Sequence, residues 1–93
     1  MRCELPENVQ KYSETPTYTD TTVPAGLLRD HSTKAGVWGK LVVTDGHLFY
    51  LRDDCPAQRV DEGAPAVIHP EEKHFIRVPA PVSFRVEFYR VMP

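Results

Sequence analysis

The chain has 93 residues, of which 41% are apolar, and a formal net charge of −2. That length fits one domain and leaves little room for two, with a core that must be compact because a domain this small buries only about two-thirds of the surface its unfolded chain exposes. Acidic and basic residues are interleaved without a basic block, which removes the electrostatic footprint of a nucleic-acid binder. No apolar run approaches the roughly 18 residues that span a bilayer.

The N-terminal stretch MRCELPENVQKY lacks the apolar segment of a signal peptide. The two cysteines, Cys3 and Cys55, are too few for a disulfide scaffold and read as free thiols. A cytoplasmic location is expected. Residues 1–22 end in the threonine-rich run TPTYTDTT, which favours extended structure, while Pro16 argues against a central strand. This arm is expected to be extended, as an edge strand or as a strand exchanged with a second subunit in a homodimer.

Val23 to Gly26 reads as a bend, Leu27 to His31 as a short strand, and Ser32 to Gly36 as a loop. From Val37 to Thr44 the residues alternate, Val37/Gly39/Leu41/Val43 against Trp38/Lys40/Val42/Thr44, which is the period of a strand. Asp45-Gly46 is a strong hairpin signal, with His47 to Arg52 as the return strand. Asp53 to Ala57 is a loop and Gln58 to Asp61 a strand. A turn at 62–65 leads to an apolar strand, Ala66 to His69, stopped by Pro70. His74 to Val78 is extended. Val82 to Val91 sets Val82, Phe84, Val86 and Phe88 on one face and Ser83, Arg85, Glu87 and Tyr89 on the other. No segment has sustained helical periodicity. Nine prolines and repeated short strands predict an all-β sandwich or barrel.

Two stretches stand out in this order. The first is a histidine in a loop, a strand and a glycine turn (His31, Val37 to Val43, Gly46). The second is Gly63-x-Pro65, a short apolar strand, then Pro70-x-x-x-His74. Their order resembles the two motifs of cupins. The phrases LPENVQKY, TPTYT, VPAGLLRDHSTKAGVWGKL and FRVEFYR are similar to the small cupin-like family related to the amino-terminal domain of the tellurite-resistance protein TehB. The resemblance runs over nearly the whole chain and implies a single domain, 1–93, with the double-stranded β-helix of a cupin-like jelly-roll barrel. It also implies a divalent metal inside the barrel, a tellurite or oxyanion-stress setting, and pairing of barrels into dimers. His31 matches a first-motif ligand and His74 the second-motif one. Thr33 and Trp38 stand where that family pattern has a histidine and a glutamate. TehB-like proteins carry a methyltransferase domain after this one, and no methyl transfer is expected from residues 1–93.

A metal site needs several ligands at one point, and imidazole suits zinc, nickel and iron, with carboxylates extending the choice to manganese. His31 and His74 are the expected pair, with Glu87 as the third ligand and His69 or Glu71 as alternatives. Glu71 or Glu72 is placed to orient the His74 imidazole. His47, directly after the turn, is expected at the surface, and Trp38 in the core. Without metal, Thr33 and Lys34 are placed to help bind an anionic or polar small molecule. The expected partners are therefore a small molecule or a metal ion, a second copy of the chain, and neither nucleic acid nor membrane.

Overall fold

The two longest strands, β3 (Val37–Asp45) and β8 (Ser83–Val91), run antiparallel at the centre of one sheet. The computed structural model describes residues 5–52 and 55–92, so Cys3 and the Asp53-Asp54 part of the expected loop lie outside the described residues. Alternation along both strands sends Leu41, Val43, Phe84 and Val86 to the inner face, where each is buried. β1 (Val9–Glu14) and β2 (Tyr18–Thr19) pair along the other side of β8, and β6 (Ala66–Ile68) along the other side of β3. The sheet order is β1-β8-β3-β6, with β2 beside β8. The second sheet has the order β5 (Gln58–Asp61), β4 (His47–Arg52), β7 (His74–Arg77). Its inward residues Leu48, Tyr50, Val60 and Ile76 meet those of the first sheet in one apolar cluster. The expected all-β class is observed, as two packed antiparallel sheets with open edges and not as a closed barrel.

The N-terminal arm is an edge strand of its own chain. β1 and β2 both pair with β8, and Pro16 falls between them, where no ladder N–H is required. Thr15 bridges the interruption: its N–H donates to the Val86 carbonyl at 2.9 Å, and its hydroxyl accepts the Val86 N–H at 3.0 Å.

Two expected elements differ. Val37–Thr44 and His47–Arg52 do not form a hairpin, because β3 and β4 belong to different sheets. β3 already has β8 on one side and β6 on the other, so it has no free edge for β4. A bulge between Val43 and Asp45 bends its end. Gly46, at φ 81°, then carries the chain across to the second sheet. The Asp-Gly signal thus marks a corner between layers. Leu27 to His31 is not a strand either. Ala25–Leu28 is a single 3₁₀ turn closed by the Leu27 N–H on the Pro24 carbonyl at 3.0 Å, and only His31 makes a β-bridge. Among the described residues, no helix is long and apolar enough to cross a membrane.

A Cβ on Gly46 would lie 2.6 Å from the Pro81 carbonyl oxygen, on a backbone already in the left-handed region. Gly46→Ala is therefore expected to cost about 2 kcal/mol or more in urea unfolding, from left-handed strain and a collision with main chain that has no rotamer to change. A loss within about 0.5 kcal/mol, the range of a neutral surface change, would refute the corner as a constraint.

Candidate functional site

His74 opens β7, and His31 is bonded directly to it through the main chain. The His74 N–H donates to the His31 carbonyl at 2.8 Å, and the His31 N–H donates to the His74 carbonyl at 3.0 Å. Residues that exchange both bonds in an antiparallel pair project their side chains to the same face. The two imidazoles accordingly lie 4.1 Å apart, centre to centre, at 66°. Each ring is held at Nδ1, that of His31 by the Arg29 carbonyl at 3.0 Å and that of His74 by the Glu72 carbonyl at 2.8 Å. A carbonyl only accepts, so each Nδ1 carries the proton, and in the neutral ring Nε2 is then a lone pair. Neither Nε2 has a hydrogen-bond partner among the described residues.

His74 is 2% exposed. Burial pushes its pKa below the ordinary histidine range, and the charges of His31 and Arg52 push the same way, outweighing the Glu72 carbonyl and carboxylate. His74 is therefore neutral at pH 7 and available as a donor of its lone pair. Beside it the Tyr50 ring lies at 5.4 Å, with the Arg52 guanidinium 5.6 Å from the centre of that ring.

The pair stands in the wall of a cavity of about 530 Å³. Leu27, Val37, Ile68, Val86 and Phe88 supply apolar wall, and Tyr12 and Tyr18 of the arm close one side. Ser32, Thr33 and Lys34 line it next to His31. Gly39 leaves room for one of the wall residues, Ile68. A Cβ there would meet Ile68 atoms at 3.0 Å, so the missing side chain lets Ile68 settle against β3. The loop after His31 is tied down at Thr33. Its hydroxyl lies 2.9 Å from the Val37 carbonyl and 3.4 Å from that of His69, and its own carbonyl accepts the Glu71 N–H at 3.1 Å. Glu71 adopts φ 61° in that turn, a conformation that costs a non-glycine residue about 1 kcal/mol or more.

The structure brings His31 and His74 together and does not bring Glu87 to them. Val86 and Phe88 of β8 line the cavity, and alternation turns Glu87 to the outer face. There its carboxylate accepts from Arg85 Nη2 at 2.7 Å and Nε at 3.0 Å and from the Tyr89 hydroxyl at 2.7 Å, with Lys11 Nζ at 3.6 Å. Burial alone would raise the Glu87 pKa, but the bonds from Tyr89 and Arg85 and the charge of Lys11 leave it below the usual carboxylate value. Tyr89 is pushed up to about 12 by burial and by its bond to that carboxylate.

The other candidates are also elsewhere. His69 packs its ring 4.8 Å from Trp38, and its buried Nε2 has no hydrogen-bond partner among the described residues. Trp38 is half-buried on the outer face of β3 and does not belong to the core cluster. His47 is partly exposed and packs edge-on against Phe49 at 5.8 Å. Glu72 orients His74 through its carbonyl, while its carboxylate meets Arg52 at 3.4 Å. Among the described residues, no group of three His, Cys, Asp or Glu side chains is placed to hold a metal ion. Sequence reasoning did not assign Tyr12, Tyr18 and Leu27 to the cavity. The signal available was two aromatic rings in an otherwise polar arm.

The pattern of the TehB-like domain family matches residues 13–86. Among solved structures, a protein of Escherichia coli K12 is similar, with 27% identity over 97% of this chain and 98% of that one and a TM-score of 0.86. TehB from Haemophilus influenzae superposes with a TM-score of 0.82 at 23% identity, over 91% of this chain but only 32% of TehB. A protein of Neisseria meningitidis follows at a TM-score of 0.54 and 16% identity, over 96% of this chain and 79% of that one. No curated protein matches the sequence.

The outer-face network makes a pH prediction. Because the folded Glu87 pKa lies below its unfolded value, its contribution is fully present above the unfolded carboxylate range and is lost as pH falls through the folded pKa. Glu87→Gln is expected to cost about 2 kcal/mol at pH 7, the range for hydrogen bonds to a charged group, and to flatten the acid limb of stability against pH. Urea midpoints for both proteins across that limb check this. An unchanged slope would mean that the carboxylate is not held by Arg85 and Tyr89.

Proposed function

The chain belongs to the TehB-like domain family, and from that premise together with the cavity we propose that it is a small-molecule-binding domain whose polar contact is the His31–His74 pair, with a divalent metal ion held at their Nε2 atoms. One observation carries the reading. Both imidazoles spend Nδ1 on main-chain carbonyls, which leaves each Nε2 unshared, and both residues line one cavity.

The donor set fits a partial metal site. Two imidazoles suit nickel, zinc or iron, and the Nδ1–carbonyl bonds are the outer contacts that orient ligating histidines. No lining residue among those described is acidic, so the remaining positions fall to water or to the bound molecule and not to Glu87. A bound ion supplies Lewis acidity to whatever oxygen it meets. The chain's own part is to fix both rings, keep His74 deprotonated through burial, and set a largely apolar wall beside them.

Strand order supports a finer reading of the fold. One sheet runs β1-β8-β3-β6, the other β7-β4-β5, and His31 bridges to the first residue of β7. We read that order, with a corner and not a hairpin between β3 and β4, as in keeping with a double-stranded β-helix of the cupin type, with the cavity as its mouth. The family relation supports a setting in tellurite or oxyanion stress.

Metal analysis of tag-free protein, with nickel and zinc titrations, tests this. About one ion per chain is expected, with at least a tenfold loss of affinity in His31→Ala and in His74→Ala and none in Glu87→Gln. Binding that survives both histidine substitutions, or wild type that takes up none of zinc, nickel, iron or manganese, would remove the metal from the site.

A further inference from the structure

The chain carries 13 Asp and Glu residues, yet none of the described residues lining the cavity is acidic. The cationic side chain there is Lys34, which has no ion-pair partner among the described residues. In a net-acidic protein a wall of this sign favours an anion. The two histidines ask for something else. With Nδ1 bonded to a carbonyl, each ring in its neutral form accepts at Nε2 and has no proton to donate there, so a hydroxyl donor against it gains a hydrogen bond that a bare carboxylate does not. Thr33 leaves little for an anion, because its hydroxyl is directed to the Val37 and His69 carbonyls. Ser32 beside it makes no such bond. The rest of the wall is aliphatic and aromatic, from Leu27, Val37, Ile68, Val86 and Phe88, in a volume of about 530 Å³, within the usual range for an organic ligand. A bare inorganic oxyanion would leave that apolar wall without a partner.

We infer that the cavity takes an apolar hydroxy acid: a carboxylate toward Lys34 and Ser32, a hydroxyl donating to the His31–His74 pair, and an aliphatic or aromatic body against the Val37–Ile68–Phe88 wall. This rests on the cavity being a small-molecule site and concerns the metal-free pair, because an ion held at the two Nε2 atoms would use the lone pairs that the hydroxyl needs. The specificity comes from the imidazole acceptors, of which His74 is buried and His31 half-buried. A site that hydrogen-bonds a hydroxyl discriminates strongly against the analogue that lacks it, because the acceptor is then left unpaired.

The experiment uses 3-phenyllactate, 3-phenylpropionate and 3-phenyllactamide as probes, in chelator-containing buffer, with affinity read from titrations of the His31 and His74 imidazole NMR signals. The hydroxy acid is expected to bind at least tenfold more tightly than either the acid without hydroxyl or the neutral amide, and Lys34→Met to abolish its advantage over the amide. Equal affinities for the three probes, with the histidine signals still moving, would leave a binding cavity and overturn the hydroxy acid. A Lys34→Met protein that keeps the preference for acid over amide would overturn the placement of the carboxylate. Histidine signals that move with none of the probes would overturn the inference outright, while the metal titrations decide the His31–His74 site separately.

Discussion

The reciprocal main-chain bonding of His31 and His74 is the constraint on which the site depends. It ties the loop after the 3₁₀ turn to the free edge of β7 and closes one end of the space between the sheets. It also sets two imidazoles on one face without any side-chain interaction being needed to gather them. The carbonyls of Arg29 and Glu72 then fix the rotation of each ring. The two Nε2 atoms are left without a protein partner among the described residues in a sparsely polar surrounding, an arrangement that costs desolvation unless something fills it.

β8 divides two kinds of chemistry between its faces. Inward, Phe84, Val86 and Phe88 give core and cavity wall. Outward, Glu87 gathers Arg85, Tyr89 and Lys11 into a network around one nearly buried carboxylate. A buried charge must be paired and hydrogen-bonded, and here the compensation is complete enough to lower the carboxyl pKa despite burial. The same bonds occupy the carboxylate and keep it on the far side of the sheet from the histidines. The third candidate ligand thus has a structural task, and the cavity holds two nitrogen donors and no carboxylate among the described residues.

The strands were legible because they alternate. Val37 to Thr44 and Val82 to Val91 carry a period of two, and β3 and β8 occupy nearly those spans. Period two also places Glu87 opposite Val86 and Phe88. Its assignment as a ligand required the polar face to turn inward, and the core residues on the other face prevent that. The Asp45-Gly46 turn was legible as a turn but not as a corner. Local residues specify a reversal of direction, whereas the identity of the next neighbour depends on β6 and β8 already occupying both sides of β3. The His31–His74 pairing was readable only through motif order, since the two residues lie far apart in sequence. The part played by Tyr12 and Tyr18 was not readable, because it follows from the arm pairing with β8, a long-range contact that no local pattern encodes.

The account turns on the protonation pattern of two rings, and long-range proton–nitrogen NMR of the imidazoles at pH 7.5 reads it directly. Both His31 and His74 are predicted to carry the proton on Nδ1, with Nε2 showing the shift of an unprotonated nitrogen. If either ring is instead the Nε2–H form, its Nδ1 is not bonded to the carbonyl of Arg29 or Glu72. The lone pair on which the site is built would then be absent.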